Sequence, residues 1–123
     1  MENDNQVNVA IISGKVLPTM TFNQKVWAMT ARVPRGKIAT YGQIARALGT
    51  QAYRAVGNAL NHNPYAPQVP CHRIVGSDGA LTGFAAGVTK KREMLAREGV
   101  KFRGQKVDLS HRVTLGGSRR SSD

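Results

Sequence analysis

The chain has 123 residues, of which 41% are hydrophobic and 20% charged, and it carries a single cysteine. This length suffices for one domain and not two, and the composition excludes a disordered polar tract, a collagen-like fibre and a disulfide-dense miniprotein. No apolar run approaches the ~18 residues needed to cross a bilayer. The polar residues 1–8 contain no Lys or Arg and do not have the pattern of a secretory signal. We therefore expect a soluble intracellular protein without a membrane partner.

Charge is the first informative departure from an ordinary composition. Eighteen Lys and Arg against seven Asp and Glu give a net charge of +11, and the isoelectric point is about 10.7. Such a balance favours a polyanionic partner, usually nucleic acid, although simple solubility is the alternative explanation. A membrane-binding basic helix would need a wide apolar face, which no segment shows. We therefore expect an association with nucleic acid, in the cytoplasm or nucleoid, or in a nucleus.

Residues 1–19 show no sustained hydrophobic period, because a glycine and a proline interrupt their one apolar stretch. We therefore predict a mobile N-terminal arm. From Thr21 to Pro34 the spacing predicts a first helix, whose apolar stripe contains Phe22, Val26, Met29 and Val33. Thr21 and Gln24 have the spacing of a capping box at its start.

Two further helices are predicted next to each other. Thr40 and Gln43 repeat the capping-box spacing, and Gly49 stands at a C-terminal cap position. A following helix is predicted from Tyr53 to Asn61. Two short helices joined by a turn that contains glycine form a helix-turn-helix candidate.

Proline and glycine make residues 62–87 mainly irregular, with a short strand predicted at 72–75. A last helix is predicted from Thr89 to Glu98. The resulting organisation is an arm at 1–19, one domain at 20–112 and a disordered basic tail at 113–123. The predicted fold class is mainly α with minor β, of a winged helix-turn-helix type.

The second helix of the corner has an unusual surface. Val56 and Leu60 form its apolar face, while Gly57 and a stripe of small side chains accompany them, at Ala52, Ala55 and Ala59. These small residues fit either tight packing against another helix or docking into a DNA groove, and the sequence leaves both open. Arg54 is the one long side chain near the helix start. Since the set of Asn, Gln and Arg side chains that read bases is lacking, we predict a helix that lies on DNA without reading much sequence.

The loop segment Pro70-Cys71-His72-Arg73 is the candidate reactive site. A lone cysteine is most often an inert buried residue, but here it adjoins a histidine on a basic chain. Only about 3% of an ordinary thiol is ionised at pH 7, and in an extended segment Cys71 and His72 would point to opposite sides. A water would then have to relay the proton. A carboxylate usually orients such a histidine, and Glu98 is the best placed by elimination.

These residues resemble the active-site signature of the O6-alkylguanine-DNA alkyltransferases. The resemblance rests on Asn63-Pro64, on the segment from Val69 to Val75 around Cys71, on Arg97-Glu98-Gly99, and upstream on Tyr41-Gly42-Gln43 with Arg54-Ala55-Val56-Gly57. It covers roughly residues 20–100.

The resemblance implies a role for each matching residue. Cys71 would accept the alkyl group, His72 would activate it through a water, Glu98 would orient His72, and Asn63 would brace the turn before the site. Tyr41 would contact the flipped guanine, and Arg54 would fill the vacated space in the stack. The DNA-binding surface would comprise Tyr41, Ala52, Arg54, Ala55, Gly57, Ala59 and Arg73. A minor groove about 6 Å wide would account for the small stripe on a helix about 10–12 Å across.

Phe84 stands where the family often has a tyrosine, so the loop that lines the guanine pocket has lost a hydroxyl. Ala85 and Ala86 follow, and leave space for alkyl groups larger than methyl. No metal or cofactor is implied, since the damaged duplex is itself the alkyl donor, and a monomer is expected. Family members often carry a further N-terminal domain, for which this chain has no room.

Three other functions are weighed against a single-turnover transferase. A non-catalytic damage sensor that recruits other repair proteins would share the corner and Arg54 but would lack the cysteine. A transcription regulator would need base-reading side chains, and a cysteine hydrolase would explain neither the charge nor the corner.

Overall fold

The structure is a computed structural model that describes residues 4–82 and 87–115. The elements of this part follow the chain in the order α1 (Asp4–Ser13), α2 (Phe22–Thr30), β1 (Ala39–Thr40), α3 (Tyr41–Ala47), α4 (Tyr53–Asn61), a 3-10 turn (Cys71–Arg73), β2 (Ile74–Val75), α5 (Val88–Arg97), β3 (Phe102–Arg103), β4 (Lys106–Val107) and a second 3-10 turn (Leu109–His111). The predicted fold class, mainly α with minor β, is confirmed. Among these residues no helix combines the length and the apolar character that crossing a membrane requires.

Both predicted capping boxes are present. The hydroxyl of Thr21 accepts the backbone N–H of Gln24 at 3.1 Å, and the Gln24 side chain accepts the Thr21 N–H at 2.9 Å. Thr40 and Gln43 make the same pair of bonds at the start of α3. Each such cap contributes about 1 kcal/mol, and so these helices begin where the sequence predicts.

The helix-turn-helix corner shares one hydrophobic core with the segment around the cysteine. Helices α2, α3 and α4 supply most of its buried side chains, and Cys71 and Ile74 belong to the same cluster. Strand β1, directly before α3, pairs in parallel with β2, with Ala39 opposite Ile74. This pairing holds the 3-10 turn Cys71–Arg73 against the corner. The thiol therefore lies in the core of the domain.

The N-terminal segment differs from the predicted mobile arm. Helix α1 packs against α2, and Ala10 and Ile11 are 6% and 0% exposed in a second cluster. Exposed Val9 and Ile12 flank this buried pair. Because all four neighbours are apolar, the sequence shows no helical stripe, and the docking partner is formed by residues distant in sequence.

The predicted tail also begins later than residue 113. The Val113 N–H donates to the Ile38 carbonyl at 2.8 Å, and the Val113 carbonyl accepts from the Gln43 side chain at 2.6 Å. Residues 116–123 lie outside the described part of the chain.

The antiparallel pair β3–β4 is tied to the loop that follows β2. Gly79 has a φ of +90°, and a Cβ there would collide with the Val107 carbonyl. The Val107 N–H donates to the Gly79 carbonyl at 2.9 Å. This close approach of two backbones fixes the loop 76–82, which faces the corner.

Candidate active site

Cys71 begins a 3-10 turn and is only 9% exposed. Its N–H donates to the Val69 carbonyl at 2.9 Å. The extended segment predicted here is wrong for Cys71 to Arg73, and extended backbone begins only at Ile74. In a 3-10 turn, successive side chains are about 120° apart, so Cys71 and His72 do not point to opposite sides as they would in a strand.

His72 is 3% exposed, and its Nε2 lies 2.9 Å from Oε2 of Glu98, the residue that ends α5. Burial lowers the pKa of His72, while the hydrogen bond that the ring donates to Glu98 opposes that shift. With Glu98 ionised, the hydrogen-bond network assigns the proton of the neutral ring to Nε2. Nδ1 is then the nitrogen that can accept a proton.

Glu98 is held by more than His72. Nε and Nη2 of Arg73 donate to its two oxygens, each at 2.8 Å, and Nη1 of Arg73 donates to the Val33 carbonyl at 2.7 Å. Burial by itself raises the pKa of Glu98, but the hydrogen bonds from Arg73 and His72 outweigh it and lower the pKa to about 2. Glu98 is therefore a fixed carboxylate at neutral pH.

This geometry corrects the prediction that Arg73 belongs to the DNA-binding surface. The side chain of Arg73 is only 16% exposed, and its guanidinium is engaged by Glu98 and Val33. Arg73 thus positions the carboxylate. In the sequence Arg73 is a basic residue beside the active-site motif without a visible partner, and it is therefore expected to contact DNA. Its partner, Glu98, is distant in the chain and reaches it only in the folded protein.

Asn63 braces the loop that leads to the cysteine. Its amide nitrogen donates to the Val69 carbonyl at 2.9 Å, and its amide oxygen accepts the Tyr65 N–H at 2.8 Å. Both backbone groups lie outside helices and strands, so the Asn63 side chain supplies hydrogen bonds that regular structure does not. They hold the chain in position just before Cys71.

Lys91 is a functional candidate that the sequence analysis missed. It is 1% exposed, and its Nζ donates to the Thr82 carbonyl at 2.8 Å and to Tyr41 Oη at 3.4 Å. Burial lowers the pKa of Lys91 to about 8, while the negative charge available on Cys71 raises it. The signal was present in the sequence, since Lys91 stands one turn before the inward-facing Leu95 on α5.

Tyr41 lies beside this lysine at the start of α3. Its hydroxyl donates to the Thr82 carbonyl at 2.6 Å, and burial raises the pKa of the phenol. The ring packs against the core cluster that contains Cys71 and also lines a cavity of about 980 Å³. Tyr41 thus lies between this core cluster and an open surface.

The cavity lies between the helical corner and the loop 76–82. Residues of α3 and α4 form one wall, and Gly76, Asp78 and Thr82 contribute to the other. Phe84, Ala85 and Ala86, which the sequence places in the guanine pocket, lie outside the described residues. Thr82, immediately before that gap, is held by both Tyr41 and Lys91.

Helix α4 presents only part of the predicted small stripe. Ala52 and Ala55 are exposed, and Gly57 lines the cavity. Ala59 is 0% exposed, and its carbonyl accepts the indole N–H of Trp27 at 2.8 Å. This corrects the placement of Ala59 on the DNA-binding surface. The reason is periodicity, because Ala59 follows the buried Val56 by three residues and therefore shares its face.

The exposed face of α4 is more polar than predicted. Arg54, Asn58 and Asn61 all line the cavity. Base-reading side-chain types are therefore present on the helix, at i, i+4 and i+7. That they share one exposed face follows only once the buried face of the helix is known.

No three His, Cys, Asp or Glu side chains in the described ranges are grouped as a metal site would require. The fold and the site define a class of protein: a small helical domain in which a helix-turn-helix corner shares its core with a buried thiol beside a histidine–carboxylate pair. A family model described as "6-O-methylguanine DNA methyltransferase, DNA binding domain" matches residues 21–100. The chain belongs to this family.

Relatives with known names agree. A methylated-DNA–protein-cysteine methyltransferase of Methanosarcina barkeri is 46% identical over 86 residues, which are 68% of this chain and 54% of the relative. One from Mycobacterium bovis is 46% identical over 78 residues, which are 63% of this chain and 47% of the relative. The chain spans about half the length of these curated relatives.

Solved structures show the same fold. Mycobacterium tuberculosis OGT in complex with DNA aligns with a TM-score of 0.62 and 38% identity, over 76% of this chain and 64% of that one. S. pombe Atl1 in complex with damaged DNA containing O6-carboxymethylguanine aligns with a TM-score of 0.60 and 33% identity, over 70% of this chain and 84% of that one. The predicted family is confirmed.

Proposed function

We propose that this chain binds duplex DNA, rotates an O6-alkylguanine out of the stack and transfers the alkyl group to Cys71, once per molecule. The observation that carries the proposal is the buried arrangement of Cys71, His72 and Glu98 within a member of this family. Mycobacterium tuberculosis OGT and S. pombe Atl1, which share the fold, both form complexes with DNA. The site of action is then the DNA of the cell.

The chemistry is a displacement at carbon. The sulfur of Cys71 attacks the alkyl carbon, the C–S bond forms as the C–O6 bond breaks, and the electron pair leaves on guanine O6, which regains neutrality by protonation elsewhere on the base. The thiol proton passes through a water to Nδ1 of His72. Glu98 stabilises the resulting imidazolium through Nε2. Because the sequence contains no second cysteine to displace the thioether, each molecule is consumed.

Two side chains near the thiol complete the pocket. Lys91 places a buried cation within electrostatic range of Cys71. The phenol of Tyr41 faces the cavity and contacts the flipped base. Both donate to the Thr82 carbonyl, and so they also hold the chain in place at residue 82.

The DNA surface is the exposed face of α4. The side chains of this face are small at Ala52, Ala55 and Gly57, which lets the helix approach the floor of a narrow minor groove. Arg54, exposed at the helix start, fills the space that the flipped base leaves. The base must leave the stack because its O6 cannot be reached inside a duplex.

Intact mass measurement after incubation with a duplex that contains O6-methylguanine tests the proposal. We expect the mass of one methyl group to be added, mapped to Cys71, and the reaction to stop at one equivalent. Cys71→Ser, which keeps the DNA surface, is the matched control and should bind the same duplex without gaining mass. Turnover beyond one equivalent contradicts the suicide mechanism. Tight binding of alkylated DNA without any mass gain would instead indicate a damage sensor.

A further inference from the structure

The exposed face of α4 carries a row of polar side chains. Arg54, Asn58 and Asn61 are exposed and line the same cavity. Their spacing of four and three residues puts them on one face of the helix. Between Arg54 and Asn58 lies Gly57, which adds no side chain to that face.

These side chains have no partner within the described part of the chain. No hydrogen bond or ion pair engages the guanidinium of Arg54 or the amides of Asn58 and Asn61. Asn63 shows the contrast, since its amide makes two bonds within the fold. Asn is also a poor helix former in a helix interior. Asn58 therefore serves neither the helix nor the packing.

We propose that the amide of Asn58 contacts the minor-groove edge of a base pair next to the flipped nucleotide, and so makes repair depend on the flanking sequence. This inference rests on the proposed function. Asn58 lies four residues beyond Arg54, or about 6 Å along the helix axis. Stacked base pairs are about 3.4 Å apart. With α4 lying along the groove, Asn58 thus reaches one to two base-pair steps from the gap that Arg54 fills.

The chemistry of the amide defines what it recognises. Its NH2 group donates to adenine N3 or thymine O2, and its oxygen accepts from the guanine N2 amino group. These are the hydrogen-bonding atoms that the minor groove presents. An amide can also donate to a phosphate, but only a base edge offers it hydrogen-bonding atoms that differ between base pairs. A contact with a base edge, unlike one with a phosphate, therefore makes the rate depend on the flanking sequence.

The experiment removes one acceptor atom from the DNA. Single-turnover transfer is measured on duplexes in which adenine or 3-deazaadenine, which lacks N3, occupies the flanking positions on each strand in turn. For the parent chain we expect one replacement to slow transfer by about three- to tenfold, the effect of a single hydrogen bond. Asn58→Ala should repair the adenine duplex more slowly and should be insensitive to the replacement.

Two further variants keep the result interpretable. Asn58→Asp has the same size but cannot donate, so it must lose the sensitivity as well. Asn23→Ala removes an exposed asparagine of α2 that lies outside the cavity, and it must retain the full sensitivity. Equal slowing by 3-deazaadenine in the parent and both Asn58 variants, or no slowing in the parent at any flanking position, overturns the inference.

Failure of the proposed function gives a different result. A parent chain that transfers no alkyl group to Cys71, either from a duplex or from free O6-benzylguanine, contradicts the function itself. A parent chain that does transfer it, but whose rate responds to the flanking base independently of residue 58, contradicts only the role of Asn58.

Discussion

Nε2 of His72 lies 2.9 Å from Oε2 of Glu98, although the two residues are 26 positions apart in the chain. The contact joins the 3-10 turn of the cysteine to the end of α5. Since Arg73 holds the same carboxylate from the other side, the histidine ring has a fixed orientation and its Nδ1 is left for proton transfer.

His72→Ala is expected to slow alkyl transfer and to make the rate increase with pH. Without the imidazole the thiol must ionise directly, and a higher pH supplies thiolate. In the parent, burial lowers the pKa of His72, so the ring stays neutral at pH 7 and loses its function as a base only at lower pH. Single-turnover rates between pH 6 and 9 measure this. An unfolded variant, or a variant rate that ignores pH, contradicts the proton-relay role.

Arg73→Ala is expected to destabilise the fold, because it leaves the Glu98 carboxylate buried without its main partner. Loss of one member of a buried pair costs about 3–5 kcal/mol, and we expect the lower end, since Arg73 retains 16% exposure. Urea unfolding measures the loss. The slope of DNA affinity against salt should stay unchanged. A slope smaller by about 0.9 would show that Arg73 binds a phosphate after all.

Glu98 and Arg73 are also expected to make the free energy of unfolding fall at acid pH. The pKa of Glu98 is about 2 in the folded chain, below its ordinary value near 4.3. The stability from this carboxylate is therefore complete above pH 4.3 and is lost as the pH falls towards 2. In Arg73→Ala the pKa of Glu98 in the folded chain rises towards its ordinary value, so the loss should still begin near pH 4.3 but should be smaller and end at higher pH. Urea unfolding at a series of pH values from 2 to 7 compares the two proteins.

Lys91→Met is expected to separate stability from reactivity. At pH 7 burial of a charge whose pKa is lowered to about 8 opposes folding, so an apolar side chain of similar length should leave the melting temperature equal or higher. Loss of a cation that interacts electrostatically with Cys71 should slow the alkylation of the Cys71 sulfur by iodoacetamide. Lys90→Met, at an exposed position of the same helix, is the control. Unchanged alkylation would assign Lys91 a packing role alone.

Gly57→Ala distinguishes the two explanations of the small residues on α4. A Cβ at Gly57 would lie 3.8 Å from Tyr41 Cε1, an ordinary contact, and alanine favours a helix by about 0.5–1 kcal/mol over glycine. The variant should therefore be as stable as the parent or more so. If the glycine serves close approach to DNA, repair of a duplex should slow while transfer from free O6-benzylguanine slows less. A less stable variant would instead assign Gly57 to internal packing.

Arg54→Ala is expected to slow repair of duplex DNA far more than transfer from free O6-benzylguanine. Only the duplex requires unstacking, which costs a few kcal/mol, and Arg54 compensates for part of that cost. Arg103→Ala removes a mostly exposed arginine of the β3–β4 hairpin and matches the change in charge. Equal losses on the two substrates, or equal losses in the two variants, would remove the proposed role in the stack.

Local patterns in the sequence were reliable where the structure is local. The capping boxes at Thr21 and Thr40 and the bounds of α4 needed only neighbouring residues and match the structure. Helix α1 did not show itself, because its burial depends on a groove made by Met20, Ala28 and Val69. A short amphipathic pattern cannot reveal a helix whose partner is remote in the chain.

At the site, sequence alone determined the reactive chemistry: one cysteine next to a histidine in a loop of a strongly basic chain, with a family signature around it. Tertiary structure decided which charges belong to that chemistry. It paired Arg73 with Glu98, buried Lys91 near the thiol, turned Ala59 inwards and Asn58 outwards. The physical reason is that the burial of a side chain and its hydrogen-bond partners depend on its surroundings in three dimensions. The chemistry of a nucleophile, in contrast, is already given by its residue type.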